Sequence, residues 1–313
     1  MGALAAVAAV LPACSSGGSP TYRIAILRAL PGSANEAHLF DGLVRGGVPR
    51  SRVRVVGGSA PSEAHPDDAG AAAAVREWVK EGAQVIVALS TSGAETAHEV
   101  APNVPVLFIS TDPTATGLLR DERHPEGNLT GMAYRVPSDR TLAVVTDAYA
   151  GIHHLGCVYP PTDPGAVPAQ ADLARGAEAL GLELTCSTFA GTNDAADAVR
   201  SVLARNVDAV VLVNSPTTSR ATSALQQGFA GSTVPVIANS PFAFAELILQ
   251  PDSQSVNVDL GRQLARVLRG AKVADVPVQD PSHFLLIVNQ TIARRNGHVI
   301  APRVLQEATQ VIG

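Results

Sequence analysis

The sequence predicts an α/β protein built as two doubly wound, parallel-sheet lobes, and three observations lead there. The chain has 313 residues, more than one hydrophobic core comfortably serves at roughly 100–200 residues per domain. Hydrophobic residues make up 46% and charged residues 16%, so apolar side chain is ample for burial and the composition is not that of a disordered chain. Short apolar runs alternate with amphipathic stretches, and that alternation begins twice.

Tyr22–Leu27 reads as the first strand and Ala34–Gly46 as the first helix, with Leu39, Phe40, Leu43 and Val44 at helical spacing. Val53–Val56 is a second strand. Pro66–Glu81 is a helix with Asp67 and Asp68 at its start and Lys80 near its end, the polarity that the helix dipole favours. Gln84–Leu89 and Pro105–Ile109 are continuous apolar runs, as expected of strands buried on both faces of a parallel sheet, and helix Gly93–Val100 links them. The second series runs helix Ser138–Ala150, strand Leu155–Tyr159, helix Gly165–Leu180, strand Glu183–Ser187, helix Asp194–Asn206, strand Ala209–Val213, helix Ser219–Phe229 and strand Val234–Ala238. Trp78 is read as a packing residue of its helix.

Open parallel sheets bind ligands at the carboxyl ends of their strands, where loops and helix N-termini gather. Six loops therefore matter: 28–36, 90–93 and 110–117 in the first lobe, and 160–165, 214–219 and 239–244 in the second. Ser, Thr, Asn, Pro and Gly dominate them, supplying hydroxyl and backbone donors with little acid–base character. That chemistry suits holding a ligand better than transforming one. No Gly-x-Gly-x-x-Gly follows a strand, and there is no P-loop, nucleophile elbow or His-Glu-x-x-His. The eight histidines are scattered, with His153-His154 the one adjacent pair. Neither a catalytic residue, a metal site nor a cofactor is expected. A net charge of −5 supplies no positive field for phosphates, so nucleic acid is excluded as a partner.

The cysteines divide. Cys14 follows the apolar run 1–13 and precedes Ser15-Ser-Gly-Gly-Ser-Pro20, an order of hydrophobic region, small residue, cysteine and flexible tether. The run falls short of the ~20 apolar residues that a membrane helix needs. Leu11-Pro12-Ala13-Cys14 resembles the lipobox of bacterial lipoproteins, although no Lys or Arg precedes Cys14. The alternative is an Ala-rich N-terminal tail. Cys157 and Cys186 sit in strand-like runs and are read as small buried hydrophobes. Export permits a disulfide between them, but neighbouring parallel strands rarely offer the geometry.

Several stretches, taken together, resemble one family: Val87-Ala-Leu-Ser-Thr-Ser-Gly-Ala-Glu-Thr-Ala97, Pro105-Val-Leu-Phe-Ile-Ser-Thr-Asp-Pro-Thr-Ala-Thr-Gly-Leu118, Gly127-Asn-Leu-Thr-Gly-Met132, Val158-Tyr-Pro-Pro161, Asp259-Leu-Gly-Arg262 within 256–270, and Leu285-Leu-Ile-Val-Asn-Gln-Thr291. They are similar to the ABC-transporter substrate-binding proteins of the type I periplasmic fold that include tryptophan- and phenylalanine-binding lipoproteins. The resemblance runs from about residue 22 to the C-terminus. It implies ligand contacts from Ser90, Thr91, Ser92, Thr111, Asp112, Tyr134, Pro161, Thr162, Ser215, Thr217, Ser240 and Phe242. Each has a plainer reading: helix caps for Ser90 to Ser92, a turn for Asp112, core for Tyr134 and Phe242. Where the family pattern carries an acidic Thr-Asp-Asn-Thr loop, this chain has Asn214-Ser-Pro-Thr217, and Gln254-Ser-Val-Asn257 replaces the family's Gly-Tyr near the last crossover. A ligand ammonium would then lack its carboxylate unless Asp112 supplies one.

The resemblance implies a monomeric extracytoplasmic binding protein of an ABC importer, anchored by lipid on Cys14 to the outer face of the cell membrane. It would close on a small, polar or aromatic, amino-acid-like solute and present it to a permease. A lipoprotein sensor without transport is the alternative, and an α/β enzyme a further one. The expected division is residues 1–20 as signal and tether, 21–133 with 257–273 as the N-terminal lobe, and 134–256 with 279–313 as the C-terminal lobe. Three segments near Tyr134, Asn257 and Ala274–Val278 would form the hinge.

Overall fold

The computed structural model describes residues 21–28, 35–57, 69–163 and 165–313. Cys14 with its flanks, most of loop 28–36 and the acidic start at Asp67 and Asp68 lie outside them.

In the first unit β1 (Tyr22–Leu27), α1 (Asn35–Arg45), β2 (Val53–Val55), α2 (Ala69–Lys80), β3 (Val85–Ala88), α3 (Thr91–Val100), β4 (Val106–Ser110) and β5 (Leu129–Ala133) follow one another. Their five strands form a wholly parallel sheet in the order β2-β1-β3-β4-β5. Each of these strands is short and nearly every residue in the central ones is buried, because helices cover both faces. Trp78, Val75 and Ala97 from α2 and α3 pack one face, while Leu39, Leu43, Leu260 and Leu264 pack the other.

The second unit contains α4 (Ser138–Ala148), β6 (His154–Tyr159), α5 (Ala166–Ala179), β7 (Glu183–Thr188), α6 (Ala195–Leu203), β8 (Ala209–Leu212), α7 (Pro216–Arg220), α8 (Thr222–Gly228), β9 (Val236–Ala238) and β10 (Leu247–Pro251). Then come α9 (Ser253–Leu268), β11 (Phe284–Asn289), α10 (Gln290–Asn296), α11 (Pro302–Glu307) and β12 (Gln310–Ile312). The seven-stranded sheet has the order β12-β11-β10-β9-β8-β6-β7. It departs from the all-parallel expectation at one place: β10 and β11 pair antiparallel. The cause is connectivity, since the chain leaves the sheet at Pro251 and returns from the opposite lobe. The helix expected over 219–229 is two pieces, α7 and α8, meeting at Ala221.

Helix α9 belongs to the first unit although its sequence follows β10. It packs along α1 at very close range, and glycines make that possible: a Cβ on Gly42 would run into the Val258 carbonyl, and one on Gly261 into that of Leu39. The chain thus passes between the sheets three times, at residues 134–137, at Asp252 and over 276–283. The second passage precedes Asn257, which lies buried inside α9. The third is stitched to the first sheet where Gln279 bridges Met132 and Thr130 Oγ1 donates to the Val276 carbonyl at 2.5 Å.

One polar cluster lies inside the second unit. Glu246 is 0% exposed. Its Oε2 accepts from Tyr149 Oη at 2.9 Å, and its Oε1 from Asn296 Nδ2 at 2.8 Å and His298 Nδ1 at 2.9 Å. Buried carboxylates survive only with such partners. Burial, then the adjacent Glu246 charge, pushes the Tyr149 hydroxyl's pKa up, so it stays a donor.

Candidate functional site

Between the carboxyl ends of the two sheets lies a cavity of about 570 Å³, within the size range of small-molecule sites. The first unit contributes Thr91, Thr111, Asp112 and Thr116 from the loops after β3 and β4. The second contributes Val213, Asn214, Ser215 and Asn239 from the loops after β8 and β9, and Ala169, Asp172 and Leu173 from α5. Tyr134, Arg135 and Asp280 enter from the connecting segments. A Cβ on Gly165 would stand 3.7 Å from Asp112 Cβ, so the two lips already meet at ordinary contact distance there.

On the first lip the Thr-Asp-Pro stretch forms a compact turn. Asp112 Oδ1 accepts from Ala115 N at 2.9 Å, and Thr116 Oγ1 donates to the Asp112 carbonyl at 2.9 Å. Arg135 gathers the acidic groups nearby. It makes a two-pronged contact with Glu122 at 2.8 and 2.6 Å and a contact with Asp280 at 2.9 Å, with Asp112 at 3.8 Å. Paired prongs of this kind combine charge with fixed geometry. Burial opposes ionisation of Glu122, but the Arg135 and Thr114 hydrogen bonds outweigh it and hold the carboxyl below its usual range.

On the second lip Asp163 binds the loop after β8. Its Oδ2 accepts from Thr217 N at 2.8 Å and its Oδ1 from Thr217 Oγ1 at 2.7 Å. Burial works against the charge, yet those bonds, a further one from Ser215 and the Arg220 charge keep the Asp163 carboxyl low. Asp172 is similar: burial raises it, while hydrogen bonds from the Ser138 hydroxyl and backbone, with Arg175, lower it further.

Of the residues singled out in the sequence, Thr91, Thr111, Asp112, Tyr134 and Ser215 stand together on the cavity wall. The others lie off it. Ser90 caps α3, its hydroxyl accepting from Gly93 N at 3.1 Å, and Ser92 lies in the first turn of that helix. Pro161 and Thr162 are exposed. Thr217 is buried behind Asp163, and Ser240 donates to Asn214 Oδ1 at 2.5 Å. Phe242 is core: it is buried and stacks on Phe244 with ring centroids 5.4 Å apart, as its aromatic neighbour in the sequence allows. Even Ser215, on the wall, spends its hydroxyl accepting from Thr218 N at 3.0 Å as the cap of α7. Tyr134 Oη donates to the Pro251 carbonyl at 3.2 Å, tying the first crossing to the second.

Arg135, Asp163, Asn214 and Asn239 were not singled out, yet all line the cavity. Asp163, Asn214 and Asn239 lie in the strand-end loops and Arg135 lies next to Tyr134, so position was their only sequence signal. Asp172 and Arg175 carried a helical signal, three residues apart on one face of α5. Four carboxylates, Asp112, Asp163, Asp172 and Asp280, line the cavity against only two guanidinium groups, Arg135 and Arg175. The site therefore favours a ligand bearing positive charge.

Comparison with known proteins agrees with this architecture. A tyrosine-binding protein of Clostridioides difficile (strain R20291) is 23% identical over 224 residues, 68% of this chain and 63% of the relative's own length. The ligand-free, open structure of a substrate binding protein with adhesive properties from Clostridium difficile superposes with a TM-score of 0.77 at 18% identity, covering 94% of this chain and 99% of that one. A Streptococcus pneumonia ABC domain in complex with L-Trp gives a TM-score of 0.68 at 22% identity, over 93% of this chain and all, 100%, of that one. A leucine binding protein of Thermotoga maritima, 14% identical, superposes at 0.54 over 80% of this chain and 83% of that one. These likenesses establish the fold, two α/β lobes of the type I periplasmic binding kind. The family described as ABC transporter substrate binding protein matches residues 41–312, and this chain belongs to that solute-binding, non-enzymatic family.

Proposed function

We propose that the protein is the extracytoplasmic component of an ABC importer and binds an amino-acid-like solute through its ammonium group. The observation that carries this reading is the placement of Asp112 and Asp163 on opposing lips of one cavity. The carboxylate missing from the loop after β8 is replaced from the neighbouring loop, because Asp163 sits against Thr217 of that loop. Asp163 accepts two bonds from Thr217 and one from Ser215, which leaves one of its roughly four lone-pair sites for a ligand N–H. Among the lining residues, Val136, Pro168, Leu173, Val211 and Val213 offer apolar surface for a side chain. The tyrosine- and tryptophan-binding relatives support the same solute class.

Binding proceeds by closure of two lobes about the three connecting segments, with residues 21–133 and α9 on one side and the second sheet on the other. The closed form is what a membrane permease receives. Cys14 supplies the lipid anchor, and the protein acts as a monomer.

A thermal-shift screen tests the reading, since a ligand that binds only the folded state raises the melting temperature. L-tyrosine, L-tryptophan and L-phenylalanine are compared with their des-amino acids. The amino acids should stabilise and the des-amino forms should not. Equal stabilisation by both sets removes the ammonium from the reading, and no response to any amino acid removes the solute class.

A further inference from the structure

Cys157 and Cys186 are free thiols, and the register of the second sheet places them directly opposite each other on β6 and β7. Paired residues of parallel strands project to the same face. Both cysteines accordingly face the core beneath α4 and α5, with Leu142 and Leu173 as neighbours. Adjacent strands lie about 4.8 Å apart, inside the roughly 4.4–6.8 Å Cα separation that a disulfide spans. The strand spacing therefore meets the Cα criterion for a disulfide. The sequence places both cysteines in strand-like runs but leaves their register open, and the register is what brings them together.

The two thiols differ in ways that order the chemistry. Cys157 is 0% exposed on an interior strand, whereas Cys186 is half-buried on β7, the edge strand. Gln170 Nε2 of α5 donates to Cys186 Sγ at 3.5 Å. The hydrogen bond from Cys157 is the main influence lowering the Cys186 thiol, while the same contact and burial raise Cys157. A thiol that is accessible and more easily deprotonated is the nucleophile, and its buried neighbour is the resolving group.

We propose that Cys157 and Cys186 form a redox-active pair that closes to a cross-strand disulfide by exchange with an external disulfide. In the first step the Cys186 thiolate attacks the oxidant's disulfide, forming a mixed disulfide and releasing one thiolate. In the second, Cys157 Sγ attacks Cys186 Sγ and the second thiolate is expelled, its departure as a thiol taking up the Cys157 proton. The protein has lost two electrons and two protons, and the oxidant has become two thiols.

The full-length reduced protein is incubated with oxidised glutathione, alkylated after denaturation and mapped by peptide mass spectrometry, so that Cys14 is read separately. The wild type should lose both alkylatable thiols and join the Cys157 and Cys186 peptides without retained glutathione. Cys157→Ser should hold glutathione on Cys186, because nothing resolves the adduct. Cys186→Ser should leave Cys157 unreacted. The wild-type arm needs no substitution and stands even if a variant fails to fold. Two thiols still alkylatable in the oxidised wild type, or glutathione retained there on Cys186, would overturn the proposal.

Discussion

Replacing Tyr149 by Phe isolates one hydrogen bond at the centre of the second unit. The ring stays, so its packing against Leu155 and Val304 in the same core is unchanged, and only the donor 2.9 Å from Glu246 is lost. Glu246 keeps Asn296 and His298, so the carboxylate is under-satisfied rather than abandoned. A hydrogen bond to a charged group contributes about 1.5–3 kcal/mol, and nothing from solvent replaces this one at a fully buried site. The expected loss is thus about 2 kcal/mol, which for a 313-residue chain, at about 2.1 cal/mol/K of unfolding entropy per residue, corresponds to a fall in melting temperature of roughly 3 °C. Equilibrium urea unfolding followed by near-ultraviolet circular dichroism measures it. Arg200→Ala serves as the control: it breaks an exposed Arg200–Asp197 pair and should cost less than about 1 kcal/mol. A Tyr149→Phe protein within about 0.5 kcal/mol of wild type would refute the view that this cluster supports the lobe.

The remaining expectations are these. Gly261→Ala forces a methyl group into the Leu39 carbonyl across the α1–α9 contact and should destabilise by about 1–3 kcal/mol, measured by the same unfolding assay. Asp163→Asn should weaken L-tyrosine binding by about ten-fold or more in calorimetry, since a charge-assisted bond of about 1.5–3 kcal/mol becomes a neutral one; unchanged affinity places the ammonium elsewhere. Glu122, Asp163 and Asp172 all have carboxyls held below the ordinary range. Depressed carboxylates add stability above their unfolded pKa values and lose it as pH falls through the folded ones. Stability should therefore be level near neutrality and fall below about pH 4, and Glu122→Gln should flatten part of that fall.

The fold was legible where one rule sufficed. Buried parallel strands such as Val85–Ala88 and Ala209–Leu212 carry unbroken apolar runs that nothing else in a chain this size explains. Strand β5 was hidden inside a motif, because Gly131 has no side chain to show periodicity; its place is fixed by the Phe108 backbone, which a Cβ there would strike. The reversal at β11 depends on where the chain re-enters the sheet, a matter of path rather than pattern.

At the site, the loops were found and the side chains only partly. The Ser90 hydroxyl could be assigned to capping or to ligand with equal warrant from sequence, and in the structure it caps α3, as that of Ser215 caps α7. Phe242, a ligand contact or a core residue from sequence, packs in the core against Phe244. Asp163 was invisible because its meaning comes from Thr217, which is distant in sequence and adjacent only after folding.

The three passages between the sheets constrain motion as well as connect. Two tethers let a pair of bodies twist as well as bend; a third, offset from the line of the others, removes the twist. With Tyr134 bonded to Pro251, and Arg135 to Asp280, all three passages are also tied to one another. The relative orientation of the outer faces then reduces to a single angle. In the proposed importer role, a permease senses whether the cleft is filled by gripping both faces, without ever touching the solute.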